Sequence, residues 1–225
     1  MLLKRWLVAS GCLSIVGCST TPKGLEPEAI ARIPPEQMAA VNQARADLTK
    51  AEDEVGRRNV AVQSANNDVE VARPEVKVAQ SELDRAKALL NKATFDRNSQ
   101  AGQQAQRDVA LYQAQLDAAQ AHLKASNAAV ELANAQQKEA EAQHELAKAK
   151  VQFAEASALQ NSGDPAGKNV NIDSIRSHVD DRLKDVEKTQ TDIARLQSEA
   201  ERERMAWQIA DQHYKQMRGV GGANR

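Results

Sequence analysis

The chain has 225 residues, 41% hydrophobic but only 3% aromatic, and its 30 basic side chains nearly balance 31 acidic ones. That balance, with a pI near 6.5, gives no electrostatic basis for binding nucleic acid. An apolar share dominated by alanine excludes an ordinary core of large side chains and favours long helices packed at close approach.

Residues 1–17 begin Met1-Leu2-Leu3-Lys4-Arg5, continue as an apolar run from Trp6 to Gly17 that is too short to span a bilayer, and close on Ile15-Val16-Gly17-Cys18. This stretch resembles a bacterial lipoprotein signal peptide. The resemblance implies that the thiol of Cys18 receives a diacylglyceryl group, that the leader is cut before it, and that the new amino terminus is acylated. Ser19 in the next position, rather than Asp, implies the outer membrane and its periplasmic face. Ala9-Ser10-Gly11-Cys12 is a second match, but cleavage there would leave too short an apolar stretch for a signal. Each buried acyl methylene contributes about 0.8 kcal/mol, so several chains give a stable anchor. With Cys12 removed and Cys18 blocked by lipid, no disulfide framework can form.

Residues 18–34 hold Pro22, Lys23, Gly24, Pro27 and Pro34 and read as a flexible tether. Pro35-Glu36 then starts a helix, because proline suits the first turn and an acid suits the positive helix end. Over 35–160 the spacing predicts a long antiparallel helical hairpin with its turn about 97–104. In the first arm Val41, Leu48, Val55, Val62, Val69, Val76, Leu83 and Leu90 recur every seven residues, and alanine follows three later except at Arg58. Pro74 falls on the outer face, where the phase continues across it.

The phase breaks over Asp96 to Gly102 and resumes as Val109, Tyr112, Leu116, Ala119, Leu123, Ser126, Val130, Ala133. Folding near Ala101 sets Leu90 against Tyr112, Leu83 against Ala119, Val76 against Ser126 and Ala86 against Leu116. Large then meets small in nearly every layer. Toward the base Arg58 faces His144 and Ala65 faces Gln137, polar layers that specify register. A slip of one heptad keeps the large-small pattern, so loop length chooses the register. The alternative is one uninterrupted helix that dimerises in parallel.

The second arm carries a further stripe, Ala114, Ala121, Ala128, Ala135, Ala142, Ala149 and Ala156, so it needs cover on both sides. Residues 161–171 form a break rich in Gly and Pro, and Asn171 or Asp173 can cap the helix that follows. That third helix, 172–217, has the series Ile172, Ile175, Val179, Leu183, Val186, Ile193, Leu196, Ala200, Trp207, Ala210, Tyr214 and supplies the cover. Residues 218–225 read as a flexible tail. The expected fold is all-α, an elongated coiled-coil hairpin plus a third long helix in an up-down-up rod; the alternative places the stripe against another subunit. The rod's distal end would gather Phe95, Tyr112, Trp207 and Tyr214, with Asn98 and Gln104 at the turn, as a partner-binding tip.

No motif points to catalysis, a metal or a cofactor. His144-Glu145-Leu146-Ala147-Lys148 starts like a zinc-protease helix, but Lys148 stands where the second histidine ligand belongs. Gly163-Asp164-Pro165-Ala166-Gly167-Lys168 is one residue short of a phosphate loop and is followed by Asn169 rather than Ser or Thr. The expectation is a non-catalytic, lipid-anchored periplasmic scaffold, spacer or adaptor, attached to the membrane through Cys18 and bound to a cell-envelope protein, with homo-oligomers open. The alternative follows from the hairpin from Ala86-Lys87-Ala88-Leu89-Leu90 to Asp117-Ala118-Ala119-Gln120-Ala121. It is similar to the helical hairpins of periplasmic efflux adaptors, which dock tip to tip with outer-membrane channels. That resemblance implies an accessory role in a transport assembly, although Asp96 stands where those adaptors have a tip serine and the chain lacks their β-rich domains.

Overall fold

The computed structural model describes residue 25 and residues 27–222; the leader 1–17, Cys18 and the residues after 222 lie outside the described residues. Within them the chain is all-α. A short helix α1 (Pro27–Ile30) precedes three long ones, α2 (Ala39–Phe95), α3 (Ser99–Asn161) and α4 (Ile172–Gly222), with 3-10 turns at Pro35–Gln37 and Pro165–Asn169. At 1.5 Å per residue, the 57, 63 and 51 residues of the long helices span about 86, 95 and 77 Å. α3 packs against α2 and against α4, giving an up-down-up three-helix rod. No helix among the described residues is long and apolar enough to cross a membrane.

Heptad phase explains which faces meet. On α3, Ala105, Leu116, Ser126 and Ala133 are buried in the α2 seam, while Ala114, Leu146, Ala149 and Ala156 are buried on the opposite face. α2 runs unbroken through Pro74. The proline is exposed, so its missing N–H falls on the solvent side of the helix.

The register of the hairpin differs from the expected one by a single heptad. The side-chain amide of Gln137 donates to Asn59 at 2.8 Å, and Arg58 donates to Gln136 at 3.0 Å and to Glu54 at 2.7 Å. Arg58 therefore does not face His144, whose nearest carboxylate is Glu145 of its own helix at 3.9 Å. Ala65 likewise does not face Gln137. Higher up, Ala79, Leu83 and Leu116 form a buried cluster with Val76, Val109, Tyr112 and Ala119 around it. The same step brings Leu83 level with Tyr112 and Val76 level with Ala119.

The cause is the turn, which occupies only Asp96, Arg97 and Asn98; residues 99–104 are helical. Asp96 closes α2, and the N–H groups of Arg97 and Asn98 return to the carbonyls of Thr94 (3.3 Å) and Ala93 (3.1 Å). This is the reciprocal pattern that usually takes glycine in the left-handed position, held here by Arg97 at φ 51°. Asn98 also caps α3, its Oδ1 accepting the N–H of Ala101 at 3.1 Å. Both registers alternate large with small, so this short, doubly used turn decides between them.

α3 and α4 are antiparallel and stay in step. Arg176 lies over the ring of Phe153 at 5.7 Å, Gln190 donates to Glu139 at 3.3 Å, and Trp207 stacks on His122 with centroids 4.4 Å apart. The same numbers of residues separate these contacts on both helices. In the α4 seam Ile175 and Val186 are buried. Leu183, expected there, is 45% exposed, because the repeat places half-buried Arg182 in the seam and turns Leu183 outward. The helix also continues through Gly222 instead of ending at 217.

At the base, part of the expected tether is folded. Ala29, Ile33, Val41, Ala158 and Leu159 are buried together, and Leu25, Ile30, Met38 and Val170 pack around them. The apolar residues between the prolines are the reason: α1 lays them over the end of α3. Arg32 clamps this cap with an ion pair of 2.8 Å to Asp164. Asp164 also accepts the N–H of Ala166 at 2.8 Å, and Asn171 caps α4 by accepting from Ser174 at 3.0 Å. Gly163 takes φ +75° after the end of α3, and at Gly167 the chain passes so close to α3 that a Cβ would lie 2.7 Å from the carbonyl oxygen of Leu159.

Candidate functional site: hairpin tip and aromatic groove

The six residues expected to form a tip separate into two places. Phe95 is 85% exposed at the end of α2, and Asn98 and Gln104 are exposed beside it. Gln104 donates to Asp108 at 2.9 Å, which stiffens the first turns of α3. The in-step pairing of α3 and α4 brings Gly222 level with about Arg107, so the hairpin extends roughly 12 Å beyond α4. The tip is therefore a two-helix end with a single exposed aromatic ring.

Tyr112, Trp207 and Tyr214 lie farther down and do not join Phe95. Tyr112 packs on the Leu83 cluster. Trp207 sits at the level of His122, about 34 Å along the rod from the start of α3. The expected gathering of aromatics fails because it placed α4 too near the tip. Trp207 and Tyr214 instead line a groove between α2 and α4 with a volume of about 500 Å³, floored by Ala118, Ala119 and His122 and walled by Pro74 and Val78. Alanine on α3 makes the floor low, and the lack of an α2 to α4 interface leaves the groove open.

His122 ties the three helices together. Its Nδ1 lies 2.8 Å from Glu75 Oε2 on α2, and its ring stacks on Trp207 of α4 with an interplanar angle of 18°. No motif in the sequence singles out His122. The signal was present in the two seams: setting the 172–217 series against the α3 alanine stripe across the short 161–171 connection brings Trp207 to His122.

The groups that began like catalytic motifs have structural partners. Lys148 donates to Glu145 at 2.8 Å, and this bond holds the Glu145 carboxyl below its usual range. Gly163 to Lys168 form the cap of α3 and a 3-10 turn. Among the described residues no group of three or more His, Cys, Asp or Glu side chains converges as a metal site would require. Compared with known proteins, the chain matches no family model, no curated protein and no solved structure.

Proposed function

We propose that the protein is a non-catalytic lipoprotein of the cell envelope, held on the periplasmic face of the outer membrane through Cys18 and acting as a scaffold, spacer or adaptor for an envelope protein. The observation that supports this reading most is the division of labour along the rod. The N-terminal segment that would lead from the lipid is folded onto one end through Ala29, Ile33 and Arg32, and the opposite end is a bare hairpin with Phe95 exposed. A rigid body with its attachment at one end and an unpaired apolar side chain at the other suits holding a partner at a set distance.

Phe95 also favours a second reading, an accessory component of a transport assembly whose hairpin tip binds an outer-membrane channel. Photocrosslinkers placed at Phe95, Asn98 and Gln104 in cells separate the two. Recovery of an outer-membrane channel supports the transport role, and recovery of a non-channel envelope protein supports the scaffold. Capture of nothing from any of the three positions, with the protein present in normal amount, overturns a tip-mediated partner.

A further inference from the structure

The end of the hairpin that projects past α4 differs in charge from the rod below it. With Leu83 level with Tyr112, this end runs from about residue 88 on α2 to about residue 107 on α3. It holds three basic residues, Lys92, Arg97 and Arg107, and one acidic residue, Asp96. In the rest of the described chain acidic residues outnumber basic ones. The three cations are exposed, and among the described residues none of them forms an ion pair. Lower on the rod Arg57 is held by Glu54, Lys148 by Glu145, Lys184 by Asp181 and Lys215 by Asp211. The acids that border the end are bound by glutamines of their own helices instead. Asp84 accepts from Gln80 at 3.0 Å and Asp108 from Gln104 at 2.9 Å, so neither neutralises a cation of the tip.

Phe95 stands among these cations and, at 85%, is the most exposed large apolar side chain of the described residues. Two residues on, Arg97 holds φ 51°, a conformation that a Cβ disfavours and glycine takes freely. The turn thus keeps a charged side chain beside the ring at a position where glycine would be less strained.

We propose that this end docks end-on into a protein whose acidic rim surrounds an apolar socket. Phe95 enters the socket, and Lys92, Arg97 and Arg107 meet the rim. This deepens the tip-mediated reading above, on which it rests, by naming the chemistry of the partner. An acidic surface is drawn to the tip and repelled by the acid excess of the flanks, which orients the approach. The projection of roughly 12 Å exceeds the screening length of about 8 Å at physiological ionic strength, so the tip presents its charge apart from the rod. At such an interface a buried aromatic ring supplies affinity, and the surrounding charges supply rate and specificity. An anionic lipid surface takes an amphipathic helix laid along it, and a two-helix end with one apolar ring offers no such face.

The test places a photocrosslinker at Gln104 of the full chain in cells, with protein amount and helicity matched between variants. The parent chain captures a protein, and the crosslinked peptide of that protein is rich in Asp and Glu. Lys92→Gln, Arg97→Gln and Arg107→Gln together lower the yield roughly ten-fold or more, and so does Phe95→Ser. The charge-preserving set Lys92→Arg, Arg97→Lys and Arg107→Lys keeps the parent yield. Lys124→Gln, Lys138→Gln and Lys150→Gln, exposed lower on α3, leave it within about two-fold. Capture that survives the glutamine set or Phe95→Ser, or that falls equally with the lower α3 set, overturns the acidic partner and leaves a tip-mediated one standing. Capture of phospholipid alone, or of nothing, overturns both.

Discussion

Two glycines show how differently one residue type is used. At Gly167 a Cβ would meet backbone atoms, the carbonyl oxygen of Leu159 at 2.7 Å and the Cα of Gln160 at 2.9 Å, which cannot move aside as a flexible side chain would. Gly56 lies inside α2 with nothing within 4 Å of its virtual Cβ. Gly167→Ala should therefore destabilise by about 1–3 kcal/mol, the usual cost of overpacking. Gly56→Ala should stabilise by about 0.5–1 kcal/mol through helix propensity. Thermal melts of the two variants should move in opposite directions. Asp164 offers a pH test of the same region. The Arg32 guanidinium, and after it the Ala166 N–H, hold its carboxyl below the usual carboxylate range. A carboxyl depressed in the folded state contributes stability that is present above its unfolded value and lost as pH falls through the folded one. The base cap should then loosen only on acidification below about pH 4. Asp164→Asn keeps the Oδ1 acceptor for Ala166 and removes the ion pair, so its melting temperature should fall less steeply with acid than that of the parent chain; parallel curves would mean that the pair contributes nothing.

At the scale of the helices, the heptads of α2 and α3 and the alanine stripe of α3 announce both seams, because packing at period 3.5 leaves a mark in every turn. Their relative register leaves no such mark. Large-small alternation repeats each heptad, so Leu83 packs equally well beside Ala119 or Tyr112, and the choice passes to three turn residues. Arg97 hid that choice: a non-glycine residue in the left-handed region gives no turn signal of its own. The folding of the tether's last residues, from Pro27 on, escapes the sequence for a related reason. Prolines mark irregular backbone, yet Ala29 and Ile33 between them are buried against Ala158 and Leu159, a contact between distant parts of the chain. A cysteine pair at Asn59 and Gln137 should be joined within one chain by a short bifunctional thiol crosslinker, in a background with Cys12 and Cys18 changed to serine, since the ends of the native side chains meet at 2.8 Å. A pair at Arg58 and His144 should not be bridged by the same reagent. Bridging of the second pair in place of the first would restore the longer turn.

For the whole molecule, the tip and the groove were legible to different degrees. Phe95, Asn98 and Gln104 follow from where the hairpin reverses, a local matter. Trp207 and Tyr214 depend on the height of α4 beside α3, which is set by the loop at residues 161–171 and confirmed only by contacts such as Arg176 over Phe153. The outcome is a rod with a folded base, an open aromatic groove partway along it, and a narrow exposed end. The proposed use as an envelope scaffold depends on attachment at the base, and thus on Cys18. Mass spectrometry of the mature protein recovered from membranes measures this directly. The account predicts an amino-terminal peptide that begins at Cys18 and carries diacylglyceryl and acyl chains, with the Cys18→Ser chain released from the outer-membrane fraction. An unmodified Cys18 within an uncleaved leader, or a Cys18→Ser chain that fractionates as before, would contradict it.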